Sequence, residues 1–67
     1  MSRIYALTKL GKRAYKESSV DGDELKVLEY LKENHSASDD QLSIVGGERY
    51  ILRGMKNRGL ITELTTS

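Results

Sequence analysis

The sequence predicts a mostly helical α+β domain, in which three to four helices are closed by a small two-stranded antiparallel sheet pairing residues 3–7 with 60–65. Three observations lead to it. Apolar residues recur at spacings of three and four in several segments, the period of an amphipathic helix. Two short β-prone runs, Arg3-Ile-Tyr-Ala-Leu7 and Leu60-Ile-Thr-Glu-Leu-Thr65, stand at opposite ends of the chain. Glycine- and serine-containing turns separate the helical segments. Neither short strand is stable alone, so the economical solution pairs the first with the last.

Taken in order, residues 3–7 alternate Tyr5 and Leu7 with Ile4 and Ala6. Thr8 is the predicted N-cap of a first helix over 9–18, whose buried stripe is Leu10, Ala14 and Tyr15. Ser18-Ser-Val-Asp-Gly22 is a turn by composition and too short to separate two domains, so residues 1–67 read as one domain. A second helix is predicted from Asp23 to Asn34. Leu25, Leu28 and Leu31 repeat every three residues there, and Asp21, Asp23 and Glu24 suit the positive N-terminal end of its dipole. Asn34-His-Ser-Ala37 breaks that helix. Ser38 with Gln41 three residues on is a capping-box signature for a short third helix over 39–45. Gly46-Gly47 ends it, a basic helix covers 48–58, and the closing strand follows.

At 67 residues the chain buries only about 60% of its unfolded surface, so its stability is marginal. It has no cysteine, which removes disulfides and thiolate metal sites as staples. No apolar run approaches the roughly 20 residues that cross a bilayer, and the first residues lack the hydrophobic stretch of a signal peptide. The expected location is cytoplasmic.

A formal charge of +1 conceals a polarised distribution. Residues 1–20 carry five cations against one acid, residues 21–40 two against seven, and residues 41–67 four against two. If the two basic segments converge in space, the fold has a cationic face despite its near-neutral total. The most informative segment is Glu48 to Ile61. Ile51, Leu52 and Met55 share one side of a helix, whereas Arg49, Arg53, Lys56 and Arg58 lie mostly off that stripe. Gly59 offers the left-handed position that ends helices. Such a helix is either an ordinary solvated face or a surface that holds phosphate, since charge runs by themselves are usually solvation. Gly54 costs about 1 kcal/mol against alanine inside a helix; it would permit close approach of a neighbouring helix or of a phosphate, and helix packing is the expected reason for it. Lys9, Lys12, Arg13 and Lys16 lie on the exposed side of the first helix. They either form a second phosphate-binding surface or neutralise the acidic second helix.

Catalytic and metal chemistry find little support. His35 is the only histidine and has no convergent partner, so a surface loop is its expected place. Asp39-Asp40 are explained by the helix dipole. Asp21-Gly-Asp-Glu24 lacks the spacing of a calcium loop, and Gly46-Gly-Glu-Arg49 lacks the lysine and serine of a P-loop. No enzyme activity, cofactor or metal is expected.

Leu25-Lys-Val-Leu-Glu-Tyr-Leu31, Ser38-Asp-Asp-Gln-Leu42 and Leu52-Arg-Gly-Met-Lys-Asn-Arg-Gly-Leu-Ile61 together resemble the winged helix-turn-helix family of DNA-binding domains. Tyr5-Ala-Leu-Thr-Lys-Leu-Gly-Lys-Arg13 is similar to the segment that the family carries as its final wing strand and following helix. Here that segment precedes the helix-turn-helix, so the wing strand is permuted to the N-terminal side and the wing loop is absent. The spacing from Leu42 to Leu52 is also shorter than the family's, which compresses the turn around Gly46-Gly47. The resemblance implies a transcriptional regulator that binds double-stranded DNA, with residues 48–58 as recognition helix. Arg49, Tyr50, Arg53, Lys56 and Arg58 would contact DNA, joined by Lys9, Lys12 and Arg13 or by the 36–41 region on the backbone. A homodimer would double the phosphate contacts. The alternatives are a protein–protein interaction module on the same scaffold and an RNA-binding appendage.

Overall fold

The computed structural model describes residues 3–64. In chain order the elements are β1 (Ile4–Leu7), α1 (Lys9–Glu17), α2 (Asp23–Asn34), β2 (Ser36–Ser38), α3 (Asp39–Ile44), α4 (Arg49–Asn57) and β3 (Ile61–Leu64). Among the described residues this is a mostly helical α+β arrangement with four helices. β1 pairs antiparallel with β3 in the register Ile4 with Leu64 and Leu7 with Ile61, joining the two ends of the chain as the sequence predicts. Of the expected 60–65 strand, residue 65 lies outside the described residues.

The expectation of a two-stranded sheet is corrected. A third strand, β2, pairs antiparallel with the other edge of β1, Tyr5 opposite Ala37, giving the order β2-β1-β3. Ser36-Ala-Ser38 is too short and too polar to announce itself as a strand. It extends because β1 presents an unpaired edge and Ala37 is small enough to be buried against the core. A hydrogen bond from the Asp39 N–H to the Arg3 carbonyl (2.9 Å) carries the pairing to the start of α3.

The helices begin and end where their local chemistry directs. The Thr8 hydroxyl accepts from the Gly11 N–H (3.0 Å) and caps α1. Ser38 and Gln41 form both halves of a capping box on α3. At the end of α4 the Gly59 N–H donates to the Lys56 carbonyl and the Leu60 N–H to that of Met55, both at 3.0 Å. With Gly59 at φ +81°, this is a Schellman motif.

Val27, Leu28 and Leu31 from α2, Leu42 from α3, Leu52 and Met55 from α4 and Ile61 from β3 are almost wholly withdrawn from water. Burial of each such side chain is worth about 1.5–3 kcal/mol. The predicted stripe of α1 is corrected at one position. Ala14 is buried and Tyr15 half-buried, but Leu10 is 48% exposed. Gly11 and Ala14 form the contact face instead, and their small size draws α1 so close that Leu10 is left on the rim, its Cδ2 beside Gly59. At the compressed turn, a Cβ on the buried Gly47 would lie 2.8 Å from Val27 Cγ2 and 2.9 Å from the Leu42 carbonyl oxygen. The α3–α4 junction therefore rests directly on α2. No helix among the described residues is long and apolar enough to cross a membrane.

Candidate nucleic-acid interface

α4 is anchored by Leu52 and Met55 beneath it, so its orientation is set by the core rather than by its charges. Arg49 and Arg53, one helical turn apart, are exposed on another side and have no ion-pair partner among the described residues. They line a groove of about 560 Å³ between α4, α3 and the start of β1. Lys56 and Asn57 continue the α4 wall, Asp39, Asp40 and Ser43 form the α3 wall, and Arg3 enters just before the start of β1.

The groove is mixed in sign, with Arg3, Arg49, Arg53 and Lys56 facing Asp39 and Asp40. Glu63 on β3 further offsets two of the cations, lying 3.4 Å from Lys56 Nζ and 3.8 Å from Arg3 Nη1. These groups are substantially exposed, and such pairs contribute about 0–1 kcal/mol, so either cation can exchange Glu63 for an incoming anion. Arg49 and Arg53 need no such exchange. Tyr50 is 68% exposed at the start of α4 and lies outside the groove lining.

The other predicted contacts fall elsewhere. Arg58 is turned back into the molecule: its Nη2 is ion-paired with Glu24 on α2, and its Nε donates to the Gly54 carbonyl at 3.3 Å. The α1 cations do not join the α4 groove. Lys12 lines a second groove with Lys16 and Lys32, while Lys9 and Arg13 are exposed and line neither. Of the first basic segment only Arg3 joins the α4 groove, and the α1 cations lie outside it. The packing explanation of Gly54 is also corrected, because a Cβ there would meet nothing within 4 Å.

Arg3 and Asn57 enter the candidate site without having been singled out in the sequence. Asn57 follows Arg53 by one turn and was hidden only by its lack of charge. Arg3 carries no local signal, since it reaches the groove through the sheet pairing of β1. Among the described residues no group of three or more His, Asp or Glu side chains gathers as a metal site. The chain matches no protein-family model, curated protein or solved structure at a significant level.

Proposed function

We propose that the chain is a non-catalytic nucleic-acid-binding domain, built on a permuted winged-helix plan, that engages duplex DNA through α4. The observation that carries this reading is the pair Arg49 and Arg53. Two guanidinium groups with no ion-pair partner among the described residues stand one turn apart on a helix that Leu52 and Met55 lock to the core, with Arg3 and Lys56 alongside. Arginine binds phosphate and can pair bidentately with guanine edges, and Asn57 on the same wall has the amide geometry that reads adenine. The antiparallel pairing of β1 with β3 supports the permuted plan, because the strand that the family carries after its recognition helix lies here beside β3 although it precedes that helix.

The same geometry redistributes the contacts. Asp39 and Asp40 repel phosphate, so the start of α3 is a poor backbone contact and the DNA approaches from the Arg49–Asn57 side of the groove. Arg58 serves the α2–α4 contact through Glu24.

Fluorescence anisotropy of a labelled duplex, titrated at increasing salt, tests the proposal. Contacts to about four phosphates give a slope of log affinity against log salt near −3.6, so raising salt from about 50 to 200 mM weakens binding roughly a hundredfold. Absence of binding, or binding indifferent to salt, overturns it. RNA hairpins bound more tightly than the duplex would move the reading to RNA.

One observation favours a protein-docking module instead. Ile44 on α3, next in sequence to the groove-lining Ser43, is 85% exposed, and an exposed isoleucine gains more from a partner protein than from phosphate. Sedimentation and pull-down with the unmodified protein separate the two.

A further inference from the structure

The second groove, of about 610 Å³, lies between α1, α2 and the end of β1, away from the α4 arginines. Its apolar lining comes from Leu7 and Tyr15, above the buried Leu31. Around it stand Lys12 and Lys16 on α1 with Lys32 on α2, while no aspartate or glutamate lines it among the described residues. Lys12 and Lys16 are one turn apart and neither has an ion-pair partner among the described residues, a spacing at which like charges repel. Lys32 Nζ sits 4.8 Å from the centre of the Tyr15 ring, which holds the ammonium at the groove, and it has no carboxylate partner among the described residues. An apolar hollow ringed by ammonium groups is complementary to a molecule with an apolar body and an anionic head.

Dimensions decide between a peptide and a small molecule. From Lys12 to Lys16 the lining runs only about 6 Å along α1, and on α2 it takes in only Leu31 and Lys32. A docked amphipathic helix needs anchors at i, i+4 and i+7, roughly 10 Å apart at the ends. The volume falls in the range of roughly 300–1,000 Å³ that accommodates small ligands. We propose that this groove binds a small anionic amphiphile, an alkyl carboxylate in chemical class, with its chain on Leu7 and Tyr15 and its carboxylate among Lys12, Lys16 and Lys32. The site is independent of the nucleic-acid reading of α4 and stands or falls by itself.

The test is an NMR titration of the intact protein with octanoate, 1-octanol and octylammonium, each kept below its aggregation concentration. Octanoate should give saturable shifts centred on Leu7, Tyr15, Leu31 and the three lysines. Octanol, with the same chain and no charge, should bind about tenfold more weakly, and octylammonium more weakly still. Lys16→Glu combined with Lys32→Glu should abolish the preference for octanoate over octanol, with circular dichroism reporting that the fold persists. If that double variant does not fold, the ligand series on the unaltered protein still decides. Equal affinity for the three probes, shifts scattered beyond the groove, or no saturable binding overturns the proposal.

Discussion

Gly11 on α1 lies directly against the backbone carbonyl of Leu60, where α4 has turned into β3. A Cβ on Gly11 would collide with the Leu60 oxygen and approach Leu7 Cδ1 to 2.8 Å. Helix propensity alone favours alanine over glycine by about 1 kcal/mol. Here the obstacle is backbone, which cannot rotate aside, so Gly11→Ala is expected to destabilise by about 1–3 kcal/mol, as overpacked substitutions do. For a domain of this size that lowers the melting temperature by roughly 4–8 °C per kcal/mol. Thermal denaturation followed by circular dichroism checks it, and an unchanged or raised midpoint would show that the contact is looser than described.

Gly54 is the converse case. It sits mid-helix in α4 with open space around its missing side chain. Gly54→Ala should therefore raise stability by up to about 1 kcal/mol. Duplex affinity measured on the same variant adds a second reading. An affinity loss without a stability loss would mean that the open space is where the ligand backbone approaches.

Thr8 ties the same junction together from the other side. Its hydroxyl donates to the Gly59 carbonyl (2.6 Å), with the Leu60 carbonyl at 3.0 Å, while accepting from the Gly11 N–H. Thr8→Val keeps the shape and removes the donor and acceptor together. The expected loss is about 1–2 kcal/mol, the upper part of the range for a lost cap, because a long-range bond goes with it. Urea denaturation measures it. A loss below about 0.5 kcal/mol would assign the anchoring to packing alone.

These residues also indicate what was legible in the chain. Thr8, the Ser38–Gln41 box and Gly59 are local signals whose chemistry operates within four residues, and the structure places each where it is expected. The α2 helix and the β1–β3 pairing follow from periodicity and from the lack of any other partner for two short strands. β2 was illegible because its extension depends on the free edge of β1, thirty residues away. The role of Gly11 was hidden for the same reason, since its neighbour Leu60 is remote in sequence. In the α4 groove, the charged residues stood out by composition, but which cations remain free is a tertiary matter. Arg53 and Arg58 look alike in the sequence, and only the packing of α2 against α4 puts Glu24 beside one of them.

That contrast provides the most direct test of the interface. Arg53 lines the α4 groove without an ion-pair partner among the described residues, and Arg58 is paired with Glu24. Arg53→Ala should reduce duplex affinity and flatten the salt slope by about one unit, the signature of a lost phosphate contact. Arg58→Ala should leave the slope unchanged and cost no more than about 1 kcal/mol of stability, because its pair with Glu24 is substantially exposed. Arg49→Glu with Arg53→Glu should weaken binding far more than either alanine variant while preserving the helical circular dichroism, since neither side chain is buried. If Arg58→Ala flattens the salt slope and Arg53→Ala does not, DNA meets the α2–α4 side of the molecule, and the groove beside Asp39 and Asp40 is not the interface.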